Sequence, residues 1–118
     1  APEAVSQEVT TIGNKPIEIT LEGIDPEGDE LTYAIFSEPK HGTLEATEVL
    51  GINFAGNGVL RVIENTVTYT PGPDFEDGDS FTFKVMDAKG LVSNLATVTI
   101  KVEAAPTQQF IFLPIIVK

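Results

Sequence analysis

Asp25, Glu27 and Asp29 alternate along the stretch Asp25-Pro26-Glu27-Gly28-Asp29-Glu30. In an extended loop this spacing aims three carboxylates at one point, with Glu30 adding charge beside them. Crowded carboxylates repel one another, and a bound divalent cation relieves the repulsion. Calcium suits such a set, because a hard cation of its size takes six to eight oxygens at about 2.3–2.6 Å. The pattern is not an EF-hand: Gly28 is out of place and no Glu stands at the twelfth loop position. Asp87 ends a segment of its own, and only the fold decides whether it reaches the same pole. Asp, Pro and Gly in this order also make a tight turn with no metal at all. The metal assignment to Asp25, Glu27 and Asp29 is therefore an expectation.

Other chemistry is thinner. Asp74, Glu76, Asp77 and Asp79 form a second acidic group, read as a solvated turn in which Phe75 plugs the end of the fold. His41 is the single histidine, in the turn Pro39-Lys40-His41-Gly42. A nucleophilic triad would need it beside a hydroxyl and an acid, and no motif brings these together. With 18 acids many carboxylate pairs exist, but none lies in a recognisable glycosidase cleft motif. The glycines are scattered among turns and form no phosphate-cradling loop. There is no Trp, and Tyr33 and Tyr69 both fall on inward-facing positions, so a sugar-stacking face has little support. The burial of Phe36, Phe54, Phe110 and Phe112 is not assignable from pattern. No enzyme activity is expected.

These side chains need a scaffold, and composition points to strands. Val, Ile and Thr make up 35 of 118 residues, and β-branched residues suit a pleated surface. The length fits one domain. The net charge of −11 argues against nucleic-acid phosphates and anionic membrane surfaces as partners. It favours cations and solubility. Without Cys there is neither a disulfide framework nor a thiolate metal site. No run reaches the ~18–20 apolar residues of a membrane span.

Alternation of apolar and polar residues marks the strands. Ile17, Ile19 and Leu21 face one way and Glu18, Thr20 and Glu22 the other. Leu31, Tyr33 and Ile35 repeat the pattern, as do Val67 and Tyr69, and Phe81, Phe83 and Val85. Ala96, Val98, Ile100 and Val102 complete it against Thr97, Thr99 and Lys101. Further strands are expected around Val5–Ile12 and Thr43–Leu50. Asn57-Gly58 is a hairpin signal, so Leu50–Ile63 reads as an inserted hairpin between the fourth and fifth strands. Short strands separated by turns every 8–12 residues indicate an antiparallel β-sandwich.

Pro16-Ile17-Glu18-Ile19-Thr20-Leu21, then Asp25-Pro26-Glu27-Gly28-Asp29-Glu30-Leu31-Thr32-Tyr33, then Pro39-Lys40-His41-Gly42-Thr43-Leu44 follow one another along the chain. Tyr69-Thr70-Pro71 and Asp79-Ser80-Phe81-Thr82-Phe83-Lys84-Val85 come after them. In this order they resemble the cadherin-like/Ig-like tandem repeats of bacterial surface adhesins and secreted multidomain proteins. The resemblance runs from about Pro2 to Ala105. It implies a Greek-key Ig-like sandwich of about seven strands plus the inserted hairpin, located extracellularly or at the cell surface. It also implies a non-catalytic role as spacer or adhesion unit, with neighbouring domains of the parent chain as partners. In cadherin-like domains the matching acidic turn completes a calcium site with the preceding linker. Only Ala1, Pro2 and Glu3 remain of that linker, so weak calcium binding is expected of the isolated domain. The alternative is a carbohydrate- or ligand-binding accessory domain of a secreted hydrolase. The stretch Glu45–Ile63 is longer than the family usually carries.

The ends carry their own expectations. Ala1-Pro2 recurs as Ala105-Pro106, read as the two junctions of an array. The chain therefore divides into a sandwich, 1–105, and an apolar tail, 106–118, as the last module of an exported protein. The tail Phe110-Ile111-Phe112-Leu113-Pro114-Ile115-Ile116-Val117 has three readings: an added edge strand, an export or anchoring address, or a segment that docks on a neighbouring molecule. The edge strand is preferred, since eight largely apolar residues left in water invite aggregation. The ending also resembles the short apolar tails of exported proteins in some filamentous bacteria.

Overall fold

The computed structural model describes residues 1–54, 58–73 and 77–104. Among them lie nine strands and no helix: β1 (Glu3–Val5), β2 (Gln7–Ile12), β3 (Ile17–Thr20), β4 (Glu22–Ile24), β5 (Thr32–Ser37), β6 (Gly42–Glu48), β7 (Arg61–Pro71), β8 (Gly78–Met86) and β9 (Ala96–Glu103). Every alternating segment read from the sequence is a strand. The segments split where the chain must change partner: Ser6 divides β1 from β2, and Leu21 divides β3 from β4.

One layer runs β2-β9-β8-β5, and the other holds β3, β7 and β6, with β1 paired to β4 beside them. The layers meet through β7. Its first residues, Arg61–Ile63, pair with Ile35–Tyr33 of β5, while Thr66–Tyr69 pair with Thr20–Ile17 of β3. A strand that leaves one sheet for the other makes a corner of the sandwich. All pairings are antiparallel except one: β2 runs parallel to β9, from Gln7 opposite Val98 to Ile12 opposite Glu103. After Ser6 the N-terminal strand leaves its pairing with β4 and adds itself along the β9 edge.

Inward side chains from both layers form one core. Ile19, Leu44, Val67 and Tyr69 come from one side, and Ile35, Phe81, Phe83, Val85, Val98 and Ile100 from the other. Leu31 and Tyr33 are half-buried and pack against it. Burying each large apolar side chain is worth about 1.5–3 kcal/mol, so this row of paired faces is the main source of stability.

The expected inserted hairpin takes another form. Its second arm, Val62 and Ile63, belongs to β7 itself, while 49–54 and 58–60 hold no strand. Asn57, the residue that suggested the turn, lies outside the described residues, as do Gly56 and the whole tail 106–118. The stretch connects the β6–β7 hairpin and lies over the outer face of β5. There Phe54 is buried, meeting Phe36 edge to face at 6.1 Å between ring centroids. Lys84 sits over the Phe36 ring at 4.9 Å. Ala34, on that outer face, is fully buried as a result.

Candidate cation site at the acidic pole

Two turns meet at one end of the sandwich. The first follows β4. Gly28 N–H donates to the Asp25 carbonyl at 2.9 Å, and Gly28 takes φ +74°, a conformation open to glycine at little cost. The Asp29 N–H donates to Asp25 Oδ2, folding the loop so that alternate carboxylates converge. The second turn follows β8. Asp87 Oδ1 accepts from the Lys89 and Leu91 N–H groups, each at 2.9 Å, and Gly90 N–H donates to the Asp87 carbonyl.

These turns bring Asp25, Glu27, Asp29 and Asp87 together, one oxygen from each lying within 4.8 Å of the others. Oxygens on one calcium ion at about 2.4 Å can stand no more than about 5 Å apart, so the set spans the right distance. The three residues expected from the sequence are adjacent, and Asp87 joins them from a turn more than fifty residues downstream. Glu30 is exposed and outside the group. Lys89 Nζ pairs with Glu27 Oε1 at 3.2 Å, with both side chains largely in water. Asp87 is buried, and Asp29 Oδ2 is buried with no hydrogen-bond partner. Burial pushes the Asp29 carboxyl above its ordinary range. The Asp25 and Glu27 charges push the same way, Lys89 opposes them, and Asp87 adds a smaller push upward. An all-oxygen set of hard donors, mutually repelling and with one oxygen orphaned, fits a divalent cation such as calcium.

A sequence signal for Asp87 lies in the strand that leads to it. Asp79, Phe81, Phe83, Val85 and Asp87 share one parity on β8 and just beyond it, and all five are buried. The inward row thus begins and ends in a carboxylate. Asp79 corrects the reading of the second acidic group as a solvated turn. Its Oδ2 accepts from Tyr69 Oη at 2.8 Å and from His41 N–H at 2.9 Å. Its Oδ1 accepts from the Lys40 and Ser80 N–H groups, each at 2.9 Å. Burial alone would raise this carboxyl; the hydrogen bonds from Tyr69, Lys40, His41 and Ser80 outweigh it and hold it below the usual carboxylate range. The Tyr69 phenol moves the other way, raised well above its ordinary value by burial, by the bond to Asp79 and by its charge. Asp79 is a structural clasp between β7, β8 and the 39–41 turn. Asp77 is exposed, whereas Asp74, Phe75 and Glu76 lie outside the described residues. His41 is exposed, and its turn is explained by the backbone bond to Asp79.

The architecture defines an immunoglobulin-like β-sandwich. The chain belongs to the bacterial Ig domain family, whose sequence profile matches residues 1–102. No curated protein matches it. Among solved structures it is similar to an endo-fucoidan hydrolase from glycoside hydrolase family 107, with TM-score 0.59 and 22% identity over 89% of this chain and 14% of that one. It is also similar to the sialic acid binding region of a Streptococcus sanguinis adhesin, with TM-score 0.52 and 16% identity over 88% of this chain and 29% of the other. The SrpA adhesin of the same organism gives TM-score 0.50 and 23% identity, over 87% of this chain and 55% of the adhesin. The chain thus spans a minor share of the first two and about half of the third. At these identities the likeness is one of fold.

Proposed function

We propose that this bacterial Ig domain is a non-catalytic spacer or adhesion module of an exported cell-surface or secreted protein. Calcium at Asp25, Glu27, Asp29 and Asp87 would stiffen its junction with the chain before Ala1. One observation carries the reading: the chain enters at the acidic pole and leaves at the other end. Glu3 pairs with Ile24, one residue from Asp25. Glu103 pairs with Ile12, and Val102 N–H donates to the Asp77 carbonyl beside the start of β8. A sandwich with entrance and exit at opposite poles adds a fixed length to a rod. Nine-residue β8 alone spans roughly 30 Å at about 3.3 Å per residue.

In this role calcium neutralises the pole where two modules would meet. The carbohydrate-binding alternative takes its support from the sialic acid binding region and the fucoidan hydrolase among the similar structures. Against it, the large exposed apolar side chains among the described residues are all aliphatic: Ile24, Leu50, Ile52, Leu60, Leu91 and Leu95. No aromatic strip for stacking on sugar rings is among them.

The test is a ¹⁵N–¹H correlation spectrum titrated with calcium from an EDTA-treated start. Saturable shifts at 25–30 and 87–91, in the weak millimolar range of extracellular modules, support the cation-stiffened joint. An unchanged spectrum reduces the acidic pole to turn chemistry.

A further inference from the structure

The layer change in β7 opens a slot. Ile63 is the last β7 residue paired with β5, and Thr66 the first paired with β3. Glu64 and Asn65 carry the crossing, held where the Asn65 carbonyl accepts from Leu21 N–H at 2.7 Å. Beside this crossing lies a half-open slot of about 460 Å³, within the ~300–1,000 Å³ of small-ligand sites. Its walls mix apolar and polar groups: Ile63 is buried, Leu31 and Tyr33 are half-buried, Ile52 of the 49–54 loop forms a lip that is 43% exposed, and Thr32 and Asn65 add polar atoms. Its rim is acidic, with exposed Glu30 and Glu64.

No Lys or Arg lines the slot. Lys89 is tied to Glu27, and Arg61 to Glu38 and Glu48. Glu30 follows directly on the acidic turn, and the chain as a whole carries −11. An anionic sugar would meet repulsion at every approach. A group with an apolar stem and a positive head meets the opposite: the stem lies along Leu31, Tyr33 and Ile52 while the head stays at the wet, acidic rim. Lysine is built this way, with four methylenes and a hydrated ammonium.

We propose that the slot binds an aliphatic ammonium, the side chain of a lysine presented by a partner protein. The site is independent of the cation cluster and does not rest on it. The probe is Nα-acetyl-lysine methylamide, titrated into the ¹⁵N-labelled protein beside its Nε-acetylated analogue, which keeps the stem and loses the charge. Saturable shifts at Leu31, Tyr33, Ile52 and Glu64 are expected for the first and not for the second. Glu64→Gln, on an exposed residue, should weaken binding roughly three- to five-fold, the size of a partly exposed ion pair. Asp29→Asn, which removes a neighbouring charge but no slot residue, should weaken it less than Glu64→Gln does, separating the slot from the cation site. Equal binding of the acetylated analogue, an undiminished response in Glu64→Gln, or shifts confined to 25–29 would overturn the proposal.

Discussion

Asp79 and Asp87 share a row and a burial state but do different work, because their neighbours differ. Around Asp79 four donors converge, so its charge is stabilised. Its carboxyl lies below the unfolded value of about 3.9. The stability it confers is in place above that value and is lost as pH falls through the lower folded value. Asp79→Asn should cost roughly 2–3 kcal/mol at neutral pH, because the amide turns a donor either towards the Lys40 and Ser80 N–H groups or towards the His41 N–H and the Tyr69 hydroxyl. It should also flatten the acid limb of a urea-denaturation series between about pH 5 and pH 2. An unchanged acid limb would show that other carboxylates govern it. Asp29 has the opposite sign. Its carboxyl is raised, so its contribution is fully present below the unfolded value and is lost as pH rises through the folded one. At neutral pH it adds repulsion. Asp29→Asn should therefore raise Tm by a few degrees in EDTA and abolish further stabilisation by calcium. A lower Tm in EDTA would mean that the acidic cluster is not strained by its own charge.

Among the elements, β7 does most to shape the molecule. Its eleven residues pair with β5 and then β3 along one edge and with β6 along the other, and its crossing creates both the sandwich corner and the slot. The alternation of Val67 and Tyr69 made its second half legible. The first half was hidden, because Val59, Leu60 and Val62 next to Asn57-Gly58 look like a local hairpin arm. Local pattern cannot tell a hairpin arm from the start of a longer strand when the partner, β5, is distant in sequence. Gly42, opposite Pro71, has no room for a side chain against β7. A Cβ there would lie 2.5 Å from the Thr70 carbonyl oxygen and 2.6 Å from the Tyr69 ring. Gly42→Ala should destabilise by roughly 2–3 kcal/mol, read as a lower urea midpoint with unchanged slope. Phe54→Ala tests the loop over β5. It should cost about 3 kcal/mol, the low end for a buried Phe, and shift the amide signals of Ala34 and Phe36. A neutral result would mean that this loop merely rests on the sheet.

The whole molecule is dominated by its charge. At −11 it repels itself, so compaction is opposed by a field that salt screens. Tm should rise between about 0.02 and 0.2 M NaCl, as the Debye length shrinks towards 10 Å or less. Calcium at equal ionic strength should raise it further if the pole binds the ion specifically; identical curves for the two salts would reduce the effect to screening. The opposed poles matter at this scale as well. The N-terminal strand lies beside the acidic cluster and Glu103 at the other pole, so under the proposed role an ion there would act on the N-terminal end of the sandwich and leave the far end unaffected.

Period-two alternation in the sequence was enough to determine an all-β sandwich, the faces of its strands and most of its core, because side-chain direction in a strand is a local property. Spacing alone also grouped Asp25, Glu27 and Asp29, since one loop carries all three. The tertiary structure decided the rest. Asp87 reaches the pole only because β8 ends there, and Asp79 becomes a clasp only because Tyr69 and the 39–41 turn close over it. The parallel pairing of β2 with β9 and the slot at Glu64–Asn65 likewise follow from how two layers share their strands. These are contacts between residues distant in the chain, and a linear pattern of apolar and polar residues does not encode which distant strand will be the neighbour.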